Sequence, residues 1–231
     1  MAQGGSILTL TGVRSQALVS RTAKALDLTL EAGDLALIDA RDAVLAASFA
    51  DLCCGLHRPE EGEVRFLDRD WFHQSAEMAD ALRGLIGRVM TEPGWLRFLD
   101  AETNILLQQL HHTRTPREEL REEAAHLARH FGLPGLPGGS IGSLSPGDLV
   151  RTGFVRAFLG GPKLVILESP VQGLFLDVVP ALINKLLEVR DAGGAAIWLT
   201  RSRIVWDNPL FPATHRLRLG HLGLLPEKAA A

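Results

Sequence analysis

The chain has 231 residues, 46% of them hydrophobic and 22% charged, and its formal net charge at pH 7 is −3. This balance is typical of a globular protein with a buried core, and the charge gives no support to a nucleic acid as partner. No apolar run approaches the roughly 18 residues of a membrane-spanning helix, and the first residues, MAQGGS, lack the basic and apolar segments of a signal peptide. Cys53 and Cys54 are adjacent, which suits neither a structural disulfide nor a metal site, so we expect a cytoplasmic chain without a metal centre.

Apolar periodicity divides the chain into short strands and longer helices. The segments that read as strands are 6–10, 25–30, 35–38, 63–66, 163–167 and 195–200, with a hairpin at 214–225. The segments that read as helices are 44–56, 116–131, 146–159 and 179–190. Thr115, Pro116 and Glu118 have the pattern of a capping box at a helix N-terminus. Strands alternate with helices at both ends of the chain and helices fill the middle, which predicts an α/β fold with a mostly parallel sheet and a helical insertion.

Five phrases stand in the order in which the nucleotide-binding subunit of ABC transporters carries them. In this chain they are Gly55-Leu56 with Pro59, Gly62 and Val64; Glu102 with Asn104 and Ile105; Leu144 to Asp148; Val155 to Leu159 with Pro162; and Leu167 to Pro170. Their joint order and spacing cover nearly the whole chain, which therefore resembles that family. The resemblance implies one domain over 6–226, with a RecA-like P-loop core at 6–91 and 155–226 and a helical subdomain at 92–154.

The P-loop of this family binds phosphates through glycine backbone amides, a lysine on the β- and γ-phosphates and a hydroxyl on Mg²⁺. Counted back from Gly55, the corresponding positions in this chain are Ala40, Ala43, Leu45, Ala46, Ala47 and Ser48. Ala46 stands for the lysine and Ala47 for the hydroxyl, while side chains at the three glycine positions would crowd a phosphate. Asp42 adds a negative charge and Ser48 is the hydroxyl that remains, so the resemblance implies a vestigial loop.

The other catalytic positions that the resemblance implies are also changed. Glu168 stands for the Walker B carboxylate and could still hold a metal, but Ser169 stands for the general base, Thr91 for the Q-loop glutamine and Arg201 for the switch histidine. No aromatic residue precedes Phe49, so none can stack on adenine. Together these changes remove charge neutralisation, water activation and base stacking. We expect no intact catalytic group and no tightly bound cofactor, with ATP and Mg²⁺ only at the site of a partner subunit.

The signature phrase is less altered than the P-loop. In this family the signature of one subunit closes over the γ-phosphate held by the P-loop of the other subunit. Ser145 could still donate a hydroxyl, Gly147 still permits close backbone approach, and the start of a helix suits an anion. Asp148 is a poor neighbour for a phosphate, and a simple helix cap from Ser145 is the alternative reading. The resemblance therefore implies nucleotide binding in trans through Ser145 and Gly147.

Two aromatic residues mark the groove that receives a short permease helix in this family. Its walls would lie near 91–99, with Trp95 and Phe98 as apolar contacts of the permease, and internal packing of both is the alternative. The phrase 104–113 resembles that of the ATPases of Mla/Mce-type phospholipid transport. No lipidation signal or basic amphipathic helix is apparent, so we expect peripheral attachment at the cytoplasmic face of the inner or plasma membrane without insertion into lipid.

These features predict a degenerate ABC ATPase subunit docked on a permease of a (phospho)lipid transport system. Its partners would be that transmembrane permease and a second ABC subunit, in a homodimer or in a heterodimer with an active ATPase to which it lends its signature. One alternative is a true ATPase with an unorthodox site, in which Glu168 is the base and Ser48 with Asp42 holds Mg²⁺. The other alternative is a free-standing ABC-like regulatory protein.

Overall fold

The computed structural model describes residues 5–16, 18, 24–171, 177–209 and 211–226. Within them the strands are β1 (Leu8–Arg14), β2 (Leu26–Leu30), β3 (Leu35–Ala40), β4 (Glu61–Phe66), β5 (Arg69–Asp70), β6 (Ile86–Val89), β7 (Leu164–Glu168), β8 (Ala195–Thr200), β9 (His215–Gly220) and β10 (Gly223–Pro226). The α-helices are α1 (Ala43–Cys53), α2 (Ala76–Arg83), α3 (Ala101–His112), α4 (Arg117–His130), α5 (Pro146–Phe158), α6 (Val179–Asp191) and α7 (Arg203–Trp206), with 3₁₀ turns at Trp71–His73 and Ile141–Ser143. None of these helices is long and apolar enough to cross a membrane.

The larger sheet has the strand order β10-β9-β3-β8-β7-β6, and its strands from β9 to β6 are parallel. Strands β3, β7 and β8 are buried along their whole length, as expected for parallel strands covered on both faces. Their side chains alternate between two apolar clusters, so that Ile166 packs with residues of α1 while Val165 packs with residues of α5 and α6. Because parallel strands end at one edge of a sheet, the last residues Ala40, Glu168 and Thr200 mark that edge.

A smaller antiparallel sheet, with the order β2-β1-β4-β5, contributes to the cluster that contains α1. Its inward residues Leu10 and Phe66 join Phe49 of α1, and Phe66 stacks on Trp71 with ring centroids 5.6 Å apart. The alternation of β2 predicted a strand but not the sheet to which the strand belongs, so this second sheet was not expected.

Helices α3, α4 and α5 form the helical block between β6 and β7. Phe131, directly after α4, packs against Phe154 and Phe158 of α5, with ring centroids 5.3 and 5.6 Å apart. Helix α5 also packs on strand β6 of the larger sheet. The predicted boundary between the helical subdomain (92–154) and the second core segment (155–226) therefore falls inside helix α5. The bounds of the subdomain stay a prediction.

The start of α4 differs from the predicted capping box. Pro116, not Thr115, is the N-cap residue, and no side chain accepts a hydrogen bond there. The backbone amide of Thr115 instead donates to Thr113 Oγ1 at 3.3 Å, in the turn that leaves α3. The capping box was wrong because proline has no side-chain oxygen, and Thr115 lies one residue too early to cap the helix.

Gly87 lies where β6 passes the C-terminal turn of α5, and a Cβ there would sit 1.8 Å from the carbonyl oxygen of Ala157. We expect Gly87→Ala to lower the free energy of unfolding by about 2–3 kcal/mol, because the clash is with backbone and no rotamer relieves it. Gly153→Ala in α5 is the matched control, since no atom lies within 4 Å of its Cβ and the change should stabilise the helix by about 1 kcal/mol. Urea denaturation measures the free energy of unfolding of the wild type and of both variants. Equal stability of Gly87→Ala and the wild type would contradict this packing.

Candidate functional site

The start of helix α1 is capped by a carboxylate of the chain itself. Asp42 is the N-cap residue, and its Oδ1 accepts hydrogen bonds from the amides of Val44 at 2.8 Å and Leu45 at 3.2 Å. Amides at this end of a helix carry partial positive charge and attract anions such as phosphate. The turn between β3 and α1 therefore already holds an anion, which Asp42 supplies.

The vestigial P-loop buries several of its side chains. Ala40, Leu45 and Ala46 belong to the core and are 1%, 3% and 4% exposed. The core encloses the side chains of Ala40 and Leu45, whereas Val44 is 75% exposed. The crowding of a phosphate at the glycine positions stays a prediction. The remaining loop positions are partly buried: Ala43, Ala47 and Ser48. Helix α1 carries no basic residue, so nothing on it replaces the lysine.

Arg88 of β6 fills the space between the Walker B position and α1. Its Nε donates to Glu168 Oε1 at 2.6 Å, and its Nη1 donates to Asp51 Oδ1 at 2.6 Å. Its Nη2 donates to the carbonyl oxygen of Ala47 at 3.5 Å. The side chain of Glu168 is 2% exposed and that of Arg88 is 14% exposed, so solvent and salt screen their attraction little. The carboxylate that could have held a metal is paired with a guanidinium.

Arg88 was not among the residues that the sequence singled out. An arginine inside the four-residue strand Ile86–Val89 signals a charge that needs a carboxylate partner, because arginine is rarely buried unless paired. That signal was visible in the sequence. Its partner was not, because Glu168 becomes the neighbour of Arg88 only through the pairing of β6 with β7.

Three of the predicted positions meet in one cavity of about 320 Å³. Thr91, Glu168 and Ser169 line it together with Trp95 and residues of α5. Thr91 Oγ1 donates to the carbonyl oxygen of Glu168 at 3.5 Å, which ties the Q-loop position to the end of β7. Among the described side chains that line this cavity, Glu168 is the one carboxylate, and Arg88 binds it in an ion pair at 2.6 Å.

The base and switch positions lie at the same edge of the sheet but carry no catalytic chemistry. Ser169 follows β7 with φ of 45°, a left-handed conformation that non-glycine residues rarely adopt. Its amide donates to the carbonyl oxygen of Leu199 in β8 at 2.8 Å, which holds this strained turn in place. Arg201 follows β8 and is exposed. Neither position supplies a carboxylate or an imidazole that could activate water.

At the signature position, Ser145 and Asp148 bind each other at the start of α5. The amide of Asp148 donates to Ser145 Oγ at 3.1 Å, and Ser145 Oγ donates to Asp148 Oδ2 at 2.8 Å. Pro146 occupies the first turn of the helix, as the sequence predicted, and Gly147 follows, partly buried. In this chain the Ser145 hydroxyl therefore serves as a helix cap.

The two predicted permease contacts differ in exposure. Phe98 is 82% exposed. Trp95 is partly buried, with the guanidinium carbon of Arg156 4.1 Å from its ring centroid, while Arg156 Nη2 donates to the carbonyl oxygen of Pro93 at 2.7 Å. Burial lowers the pKa of Arg156 to about 10. Trp95 thus packs within the loop that follows β6, and Phe98 projects from that loop into solvent.

The residues at this edge do not fit ATP and Mg²⁺. In P-loop proteins a lysine neutralises the β- and γ-phosphates, and a hydroxyl with the Walker B carboxylate holds the metal. Here Asp42 binds the helix amides, Ala46 and Ala47 offer neither cation nor hydroxyl, and Glu168 is bound by Arg88. A nucleotide with its metal would have to displace two charged contacts that the chain makes with itself.

The fold is that of an ATP-binding cassette. A solved dimer in the post-hydrolysis state, the ATP-binding cassette MJ0796 bound to ADP and Pi, matches 96% of this chain and 100% of that chain, with a TM-score of 0.79 and 16% sequence identity. At this identity the likeness shows the fold alone. It confirms the predicted α/β class with a mostly parallel sheet and inserted helices.

Sequence comparison identifies the family. The profile described as ABC transporter matches residues 47–172. The molybdenum import ATP-binding protein ModC of Hahella chejuensis is 33% identical over 136 residues, which are 58% of this chain and 37% of ModC. The lipoprotein-releasing system ATP-binding protein LolD of Nitratidesulfovibrio vulgaris is 28% identical over 201 residues, which are 86% of this chain and 85% of LolD. The chain spans little more than a third of ModC. The chain belongs to the ABC transporter family.

Replacing Asp42 tests the internal cap of α1. We expect Asp42→Ala to lower the free energy of unfolding by about 1 kcal/mol, because it leaves the amides of Val44 and Leu45 without their acceptor. Asp42→Asn keeps an acceptor oxygen and should stay within about 0.5 kcal/mol of the wild type. Urea denaturation followed by circular dichroism compares the three proteins. If the alanine and asparagine variants are equally stable, the side-chain cap contributes nothing.

Proposed function

We propose that this chain is an ABC-type subunit that does not hydrolyse ATP on its own and serves a membrane permease in a structural or regulatory role. The observation that carries this proposal is the Asp42 carboxylate, which accepts hydrogen bonds from the first amides of α1, where a P-loop binds phosphate. Membership of the family would by itself favour an active ATPase. Residues 40–48, however, contain neither glycine nor lysine, so the groups that bind phosphate in this family are missing.

Two contacts count against a true ATPase with an unorthodox site. Such a site would use Glu168 as the base and Ser48 with Asp42 for Mg²⁺. Arg88 donates to Glu168 Oε1 at 2.6 Å, so one oxygen of the carboxylate that would have to activate water is already bound to a guanidinium. Asp42 is engaged with the amides of α1 at the same time. We therefore favour the subunit without hydrolytic activity.

Docking on the permease would use the loop that follows β6. Phe98 is 82% exposed there, and Trp95 lies in the wall of the neighbouring cavity. An exposed aromatic side chain beside an apolar cavity is the kind of anchor that protein interfaces bury. The occupant would be a short cytoplasmic segment of the permease, with this chain held at the cytoplasmic face of the membrane through that segment. The exposure of Phe98 favours this arrangement over a free-standing regulatory protein.

A lipid or a lipid-linked molecule is the cargo that we propose for the transport system. The phrase from Asn104 to Thr113 resembles that of ATPases of phospholipid transport, and LolD, which matches 86% of this chain, is named for a lipoprotein-releasing system. ModC is named for molybdenum import, but its match covers 58% of this chain. The support for a lipid cargo therefore comes from the longer of the two matches and from the phrase.

The chain would pair with a second ABC subunit, which is either another copy of itself or an active ATPase. With an active partner, Ser145 and Gly147 would close over the γ-phosphate held by that partner. Ser145 Oγ would then have to exchange its contact with Asp148, made at 2.8 Å on the exposed start of α5. Exchanging one exposed hydrogen bond for another costs little. In a homodimer, by contrast, the chain would support the permease without any hydrolysis.

Restoring the lysine alone should not restore ATP hydrolysis. Ala46→Lys returns a cation to the loop, but Ser169, Thr91 and Arg201 remain, and catalytic groups that act as a unit give little when restored singly. We expect phosphate release by Ala46→Lys to stay within about twofold of the wild-type background. Val44→Lys, at a site that is 75% exposed, controls for the added charge. A rate more than about tenfold above background would show that the other positions still support catalysis.

Ser145→Arg tests whether the signature acts in trans. In a complex with an active ATPase, we expect this variant to abolish ATP turnover, because the arginine side chain would occupy the space of the partner's γ-phosphate. The fold should lose only about 1 kcal/mol, the value of a helix cap. Glu119→Arg adds the same side chain to the helical block at an exposed position of α4, and should leave turnover unchanged.

The measurement is ATP turnover by the complex reconstituted with its permease, with each variant in place of this chain. Unchanged turnover with Ser145→Arg would remove the role in trans. A purified complex with two copies of this chain and no other ATPase would have the same consequence, and the structural role would then remain.

A further inference from the structure

Two carboxylates at the centre of the candidate site need a cation between them. The side chains of Glu168 on β7 and Asp51 on α1 are 2% and 28% exposed. A buried carboxylate without a counter-ion is costly, so either the chain or a bound metal has to supply positive charge at this place. In P-loop proteins the Walker B carboxylate and the P-loop hydroxyl hold Mg²⁺, and the corresponding positions in this chain are Glu168 and Ala47.

Arg88 reaches both sides of that place. Its guanidinium donates to Glu168 and to Asp51, each at 2.6 Å, and to the carbonyl oxygen of Ala47, the residue at the hydroxyl position, at 3.5 Å. The guanidinium is planar, always charged, and presents its donors in a fixed fork. It therefore joins oxygen ligands of two separate elements, as a divalent cation would.

Arg88 lies close in sequence to the start of the loop that carries Trp95 and Phe98. Arg88 stands three residues before Thr91, whose Oγ1 donates to the carbonyl oxygen of Glu168 at 3.5 Å. Elements α1, β6 and β7 thus meet at one guanidinium beside the cavity that Thr91 and Trp95 line. A link made by a bound metal forms and breaks with its ligand, whereas this link is part of the chain.

We propose that Arg88 is a permanent internal replacement for the divalent cation, which holds α1, β6 and β7 in one arrangement whether or not nucleotide is present. The proposal rests on the proposed function in one respect, the inability of this edge to bind Mg²⁺ with ATP. It requires neither the permease nor a second ABC subunit. It also implies a latent metal site, made by Glu168, Asp51 and the carbonyl of Ala47, that opens when the guanidinium is removed.

Arg88→Met removes the charge and keeps much of the side-chain volume. Without metal, we expect its melting temperature to fall by about 5–15 °C, because two carboxylates lose their shared partner. MnCl₂ should recover about half of this loss or more by binding in place of the guanidinium. MnCl₂ should shift the melting temperature of the wild type by less than about 1 °C. It should not raise the melting temperature of the double variant Arg88→Met/Glu168→Gln, which lacks one of the two carboxylates.

Arg121→Met is the matched control. Arg121 also contacts two carboxylates, those of Glu102 and Glu118, but its side chain is 43% exposed. Exposed ion pairs contribute little to stability, so this variant should melt within about 2 °C of the wild type and should not respond to MnCl₂. The contrast separates a cation at a buried junction from an ordinary surface ion pair.

Hydrogen exchange of the wild-type chain provides a second measurement if Arg88→Met does not fold. The amides of residues 86–99 should exchange equally fast without ligand, with MnCl₂ and with MgATP. Slower exchange with either ligand would overturn the proposal, as would an Arg88→Met protein that is as stable as the wild type or is not stabilised by MnCl₂. ATP hydrolysis by the wild-type chain would overturn both this proposal and the proposed function. A chain that associates with no permease, with exchange and Mn²⁺ response as expected here, would overturn the proposed function and leave the role of Arg88 intact.

Discussion

The guanidinium of Arg88 between Glu168 and Asp51 is the contact on which the arrangement of this site depends. Strand β6 has four residues and lies at the edge of the larger sheet, so it has one strand neighbour, β7. Removing one partner from a buried ion pair costs about 3–5 kcal/mol, which is a large part of the roughly 5–15 kcal/mol by which a domain is stable. The ion pair therefore stabilises the junction of β6 with β7 and α1, from which the loop with Trp95 and Phe98 departs.

The charges that ATP and Mg²⁺ bring to a P-loop have counterparts in the chain itself. Asp42 provides an anion at the start of α1, and Arg88 provides a cation next to Glu168. A ligand gains affinity only by the amount by which its contacts exceed those that it displaces. Phosphate would displace Asp42 and a metal would displace Arg88, so we expect the cassette fold of this chain to be stable without either ligand.

Short-range features of the sequence were predicted better than contacts between distant residues. Ser145 was predicted as a possible cap of α5, and it is one, because a cap depends on hydrogen bonds within three residues. Arg88 contacts Glu168, which lies 80 positions away in the sequence, and Asp51, which lies 37 positions away. Only the pairing of β6 with β7 and the packing of α1 bring these residues together. For the same reason, the sequence could not decide that Trp95 packs against Arg156 while Phe98 projects into solvent.

Isothermal titration of MgATP into the purified chain tests the central claim most directly, namely that the chain's own charges fill its nucleotide site. If Asp42 and Arg88 fill that site, the titration should give no heat beyond dilution, which corresponds to a dissociation constant weaker than about 1 mM. A saturable isotherm with a micromolar dissociation constant and one nucleotide per chain would contradict the claim, because ATP would then displace these internal contacts at little cost.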